Sequence, residues 1–139
     1  MTLIRLIFTL FATNMFITLA SPMQKIDCNQ IHNGKFFQYK NVNQFNSTII
    51  RTDSLQYEIN GQTGDTSSWK IRWTDDCTFT CEYLSGLKFS SEPETAFYHQ
   101  SIITFKIKDL TDDYYCYDSE LKYNSIVKNY SDTLWRHKK

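Results

Sequence analysis

The chain has 139 residues, 41% of them hydrophobic and 22% charged, with 15 basic side chains against 15 acidic ones. That length suits one domain, and the composition is that of a globular chain, which sets disorder aside. The neutral balance sets aside nucleic acid and anionic membrane surfaces as partners, because both select a basic face.

The segment from Met1 to Arg5 carries the sole early charge, residues 6–19 are almost wholly apolar, and Thr18-Leu19-Ala20 is a small-x-small cleavage site. Residues 1–20 therefore read as a signal peptide, followed by a single β-rich domain over 21–139. The apolar run falls short of the roughly 20 residues that a spanning helix needs, and no basic stop-transfer cluster follows it. No membrane span is expected after cleavage, and the expected location is secreted or periplasmic. Lys25-Ile26-Asp27 before Cys28 is not the setting of a lipid-modified N-terminus. All four cysteines, Cys28, Cys77, Cys81 and Cys116, fall in the exported part, where disulfides persist.

After the leader, period-two alternation is the dominant signal. Residues 34–39 and 48–52, rich in aromatic and β-branched side chains, are the first strand candidates. Leu55-Gln56-Tyr57-Glu58-Ile59 alternates clearly, and Trp69-Lys70-Ile71-Arg72-Trp73 is the clearest strand, with two tryptophans and an isoleucine on one face. Cys77-Thr78-Phe79-Thr80-Cys81-Glu82-Tyr83 and Ile103-Thr104-Phe105-Lys106-Ile107-Lys108 pass the same test, and residues 114–117 and 125–130 are weaker candidates. Turn chemistry separates the runs at Asp53-Ser54, Asn60-Gly61, Thr74-Asp75-Asp76 and Thr111-Asp112-Asp113. The one long connection, 85–100, contains Gly86 and Pro93 and has room for one or two helical turns at 92–100.

Short connections make antiparallel neighbours. About eight strands in chain order predict an all-β antiparallel meander, either a twisted open sheet or a small up-and-down barrel. Tyr57, Trp69, Trp73, Phe79 and Phe105 are the expected inward residues.

Cys77 and Cys81 sit four apart in a strand, about 13 Å at the usual rise, whereas a disulfide needs Cα atoms within about 7 Å. Each therefore needs another partner. Two structural disulfides are expected ahead of one disulfide with two thiols, and a metal or redox site comes last. Pairing Cys81 with Cys116 conflicts with a simple meander, which places strand 102–108 between them. His32, His99 and His137 lack metal-ligand spacing and read as solvated. Asp75-Asp76 and Asp112-Asp113 read as turn formers rather than catalytic or calcium-binding acids. Asn46 and Asn129 stand in Asn-x-Ser/Thr strings and are sugar acceptors only in a eukaryotic secretory pathway. No nucleophile motif, metal-ligand pattern or cofactor fingerprint is present, so neither an enzyme nor a cofactor is expected.

Three segments carry a resemblance: Cys28 to Tyr39 in the spacing Cys-x5-Gly-Lys-Phe-x2-Tyr, the run from Ile49 to Glu58 with its Arg51 and Gln56-Tyr57-Glu58, and Trp69 to Phe79 with Trp73-Thr74-Asp75-Asp76-Cys77-Thr78. Together they resemble a group of small exported proteins of Bacteroidetes-type bacteria. The resemblance spans about half of the mature chain and implies an architecture and a Cys28–Cys77 disulfide, with no catalytic residues. Cys81 and Cys116 depart from the group's pattern. The meander with an early Gly-x-aromatic strand is also similar to lipocalin-like proteins.

The expected function is that of an exported, non-enzymatic β-domain that binds a small apolar ligand, with Trp69, Trp73 and Phe105 as lining residues. The alternative is a protein-interaction or envelope-structural module with a filled core, whose partner is another envelope protein.

Overall fold

The computed structural model describes residues 26–41 and 44–139, so the expected signal peptide over 1–20 lies outside the described residues. Each alternating run becomes a strand: β1 (Gly34–Asn41), β2 (Gln44–Arg51), β3 (Leu55–Asn60), β4 (Thr66–Asp75), β5 (Thr78–Ser85), β6 (Ile102–Leu110), β7 (Tyr114–Tyr123) and β8 (Ile126–Trp135). Consecutive strands pair antiparallel, and β8 returns to β1. The meander is thus a closed up-and-down barrel of eight strands, which decides between the two expected forms.

The helix α1 (Glu92–Gln100) fills the long connection where one or two turns were expected. Ser91 caps it by accepting from Glu94 N, and the Glu94 carboxylate reaches back to Ser90 N at 2.8 Å, a reciprocal cap that starts a helix just before Pro93. That bond and a second from Ser90 Oγ, at 2.7 Å, hold the Glu94 carboxyl below its ordinary value. Gly86, at φ +108°, lets the chain after β5 lie against Thr66 O and Ser67 Cα, where any Cβ would collide.

The end of the barrel at the β4–β5 turn is plugged. Residues Cys28–Ile31 form a 3-10 turn capped by Asp27, and Cys28 and Ile31 are fully buried. Cys28 is bridged to Cys77 with Cα atoms 5.2 Å apart, the pairing that the resemblance implied. His32 stacks on Trp73 at 3.6 Å and its Nε2 meets Asp76 O at 2.9 Å, so it is half-buried rather than solvated as expected. Asp75 Oδ1 accepts from Cys77 N at 2.8 Å, which is the turn role expected of it and which lowers its carboxyl pKa.

Inward positions at this end are large and apolar: Phe36, Phe79, Ile107, Tyr115 and Leu134. Burial of side chains of this size stabilises by roughly 1.5–3 kcal/mol each. Tyr57 corrects an expectation. It is 36% exposed and points outward against Ile50 across the β2–β3 pair, while its neighbour Gln56 points inward. The strand's period is as read, but its phase is inverted, because the interior needs Gln56 to satisfy a buried arginine.

The second expected disulfide does not form. Cys81 faces inward on β5, Cys116 faces outward on β7, and β6 runs between them. Cys116 Sγ lies 3.3 Å from Thr133 Oγ1, and burial pushes the Cys81 thiol up to about 12, so it stays protonated.

Candidate functional site

Arg51 is the floor of the interior. It is 3% exposed and has no carboxylate partner among the described residues. Its Nε and Nη2 donate to Gln56 Oε1 at 3.1 and 2.9 Å, Nη2 also to Tyr115 Oη at 2.9 Å, and Nη1 to Ile31 O at 3.2 Å. The guanidinium lies 4.5 Å from the Phe79 ring centroid and 5.3 Å from that of Phe36. Hydrogen bonds and ring faces together replace the counter-ion that a buried charge otherwise requires.

Above this floor the barrel is not filled. A cavity of ≈ 370 Å³ is bordered by Arg51, Gln56 and Tyr115 below and by Ile103, Phe105, Leu121 and Tyr117 on one wall. Register places Glu58, Tyr117 and Asp132 each two residues further from the plug than Gln56, Tyr115 and Leu134, a layer about 7 Å higher. A polar chain crosses that layer. Gln38 Nε2 donates to Asp132 Oδ2 at 2.8 Å, while Ser47 Oγ lies 2.9 Å from Gln38 Oε1 and 3.2 Å from Glu58 Oε1. Burial pushes the Glu58 carboxyl above its ordinary value, with the Ser47 bond opposing. Tyr117 is raised as well, mainly by burial and then by the Asp132 charge, so its hydroxyl stays protonated.

The cavity reaches the barrel's seam. Among the described residues β8 pairs with β1 through Phe37↔Trp135 and Gln38↔Leu134, with no further β1 partner along β8, where Ile126, Val127 and Tyr130 are about half exposed. Gln38 on one side of the seam and Tyr130, Ser131 and Asp132 on the other all line the cavity.

The three residues expected to line one pocket are not brought together. Phe105 lines the barrel cavity and stacks on Phe79 at 4.8 Å. Trp69 lies in a separate cleft of ≈ 370 Å³ at the mouth, where it meets Tyr98 of α1 and residues 86–88, with Nε1 donating to Ser67 Oγ at 3.0 Å. Trp73 is at the plugged end, between His32 and Phe79, with Nε1 buried and, among the described residues, without a hydrogen-bond partner. These positions follow from β4 running the full height of the barrel, which separates its first tryptophan from its second. Glu58 borders both the cleft and the cavity.

Arg51, Gln56, Glu58, Tyr117 and Asp132 are the functional candidates that the sequence reading missed. The signal available was a set of polar residues at every second place of strands, Gln56-x-Glu58 above all, which ordinary burial logic assigns to the solvent face. Among the described residues no three His, Cys, Asp or Glu side chains gather as a metal site would require. No helix of the described residues is long and apolar enough to cross a membrane. Asn46 and Asn129 are both exposed, with Asn46 Nδ2 donating to Gln38 Oε1 at 3.0 Å.

Fold and site together define a closed eight-stranded up-and-down barrel with a plugged end and an interior cavity of mixed polar and apolar lining. The chain matches no protein-family model, no curated protein and no solved structure.

Proposed function

We propose that this chain is an exported, non-enzymatic barrel that binds a small molecule in its interior. The observation that carries the reading is the ≈ 370 Å³ cavity, bounded by rings and aliphatic side chains with a few convergent polar groups. Concave, largely pre-formed and mostly apolar walls with few placed polar atoms are what small-ligand sites have in common. The ligand is amphipathic rather than purely apolar, since Gln38, Glu58 and Asp132 share the lining with Phe105 and Ile103. Export is supported by the leader-like segment over 1–20 and by a disulfide, which persists in oxidising compartments.

The test is the mass of the protein purified from its own host, recorded under native and then denaturing conditions. An excess mass that disappears on denaturation is the expected result, and equal masses would count against a ligand. A second reading has its own observation. Ile126, Val127 and Tyr130, at 46%, 51% and 53% exposure, leave the outer part of β8 open to a protein partner, as in an interaction or envelope-structural module.

A further inference from the structure

The ionised groups of the cavity are unevenly placed. Arg51 at the floor is committed to Gln56, Tyr115 and Ile31, with every nitrogen already donating. One layer higher stand two carboxylates, Glu58 and Asp132, and among the described residues neither forms an ion pair with a lysine or arginine. Their hydrogen bonds come from neutral donors: Ser47 to Glu58, and Gln38 and the Thr133 amide to Asp132. Beside them Tyr117 is nine-tenths buried and lines the cavity, yet its hydroxyl makes no hydrogen bond among the described residues. A hydroxyl that lines the cavity and has no protein partner is free to meet a ligand atom.

We propose that the ligand of the barrel cavity is a small organic amine, its ammonium held by Glu58 and Asp132 and its apolar body against Phe105, Tyr117 and Tyr130. The inference rests on the reading of the cavity as a ligand site. Carboxylates only accept hydrogen bonds and an ammonium only donates them, so the pairing satisfies both sides. With both acids ionised, the Arg51, Glu58 and Asp132 charges leave one negative charge over, which a monocation neutralises. The ring faces nearby attract a cation further. An anionic ligand would instead meet two like charges before it reached an arginine with no nitrogen left free of a partner.

The test uses three probes with one aromatic body: phenethylamine, its carboxylate counterpart hydrocinnamate, and neutral phenethyl alcohol, each titrated calorimetrically into the purified chain with its disulfide intact. Phenethylamine is expected to bind at least about tenfold more tightly than the other two. Glu58→Gln and Asp132→Asn should each weaken the amine by about tenfold while weakening phenethyl alcohol much less, and a cooperative urea transition shows that the variants are folded. Tighter binding of hydrocinnamate, or equal binding of all three, overturns the amine and leaves the ligand site standing. A co-purified molecule without a basic nitrogen overturns it too. No binding of any probe, together with equal native and denatured masses, retires the ligand reading itself.

Discussion

The plugged half of the barrel and the half that faces the seam are built from the same eight strands, yet their interiors are opposite in kind. Below, Ile31, Phe36, Phe79, Ile107, Tyr115 and Leu134 close around Arg51, whose hydrogen bonds all end inside the protein. Above, Glu58, Tyr117 and Asp132 face open space, and among the described residues the backbone pairing of β8 with β1 does not continue. Dense packing is where stability resides, and a space left unfilled gives up contacts on one side of every lining atom. The difference teaches a division of labour: the plug holds the barrel shut so that the upper layer can stay incompletely satisfied.

Removing Phe79 strikes the plugged half hardest. Its ring lies 4.6 Å from Trp73, 4.8 Å from Phe105 and 4.5 Å from the Arg51 guanidinium. Phe79→Ala should cost about 3–5 kcal/mol in urea denaturation, and a loss under about 1 kcal/mol would show that the plug is not the stable half. Cys28→Ser opens a bridge across 49 residues and should cost about 2–4 kcal/mol by the same measurement. Retained stability there would mean that noncovalent contacts hold the 3-10 turn, Ile31 with Arg51 and His32 with Trp73 and Asp76.

Glu58→Gln tests the upper half in the opposite direction. The folded barrel holds the Glu58 proton more tightly than the unfolded chain does, because burial opposes its charge. That contribution is present at acid pH, where the group is protonated in both states. It is lost as pH rises from the ordinary carboxyl value through the raised folded one, and is level above that. Subtracting the stability curve of Glu58→Gln from that of the parent between about pH 4 and about pH 8 isolates this term. The variant should be the more stable protein at neutrality. A flat difference would mean that Glu58 ionises without penalty and that its layer is well solvated. The smallest effect belongs to Tyr130→Ser, at an exposed site beyond the pairing of β8 with β1, which should change stability by no more than about 0.5 kcal/mol. A larger loss would show that the seam is closed in solution.

Much of the frame was legible. Alternation in the stretch from Trp69 to Trp73 and from Cys77 to Tyr83 marked strands that pair as Trp69↔Tyr83 and Trp73↔Phe79. The obstacle noted for a Cys81–Cys116 bridge, a strand between them, is the reason both remain thiols. The candidate site was far less legible. The three aromatic residues chosen from strand faces scatter to cavity, mouth cleft and plug, because facing inward fixes neither height in the barrel nor distance around it. In β3 the apolar set Leu55, Tyr57 and Ile59 read as the inner face, whereas Gln56 and Glu58 take it.

By itself the sequence determined the all-β class, the number and order of strands and, through its turns, their antiparallel sense, because period and turn chemistry are local properties of the chain. Tertiary structure alone decided closure into a barrel, the inverted phase of β3 and the layer that unites Glu58, Tyr117 and Asp132 from distant strands. The physical reason is that a strand pattern has two equivalent phases. What selects between them is the hydrogen-bonding need of a buried group elsewhere, here the Arg51 guanidinium, which becomes visible once the strands are paired.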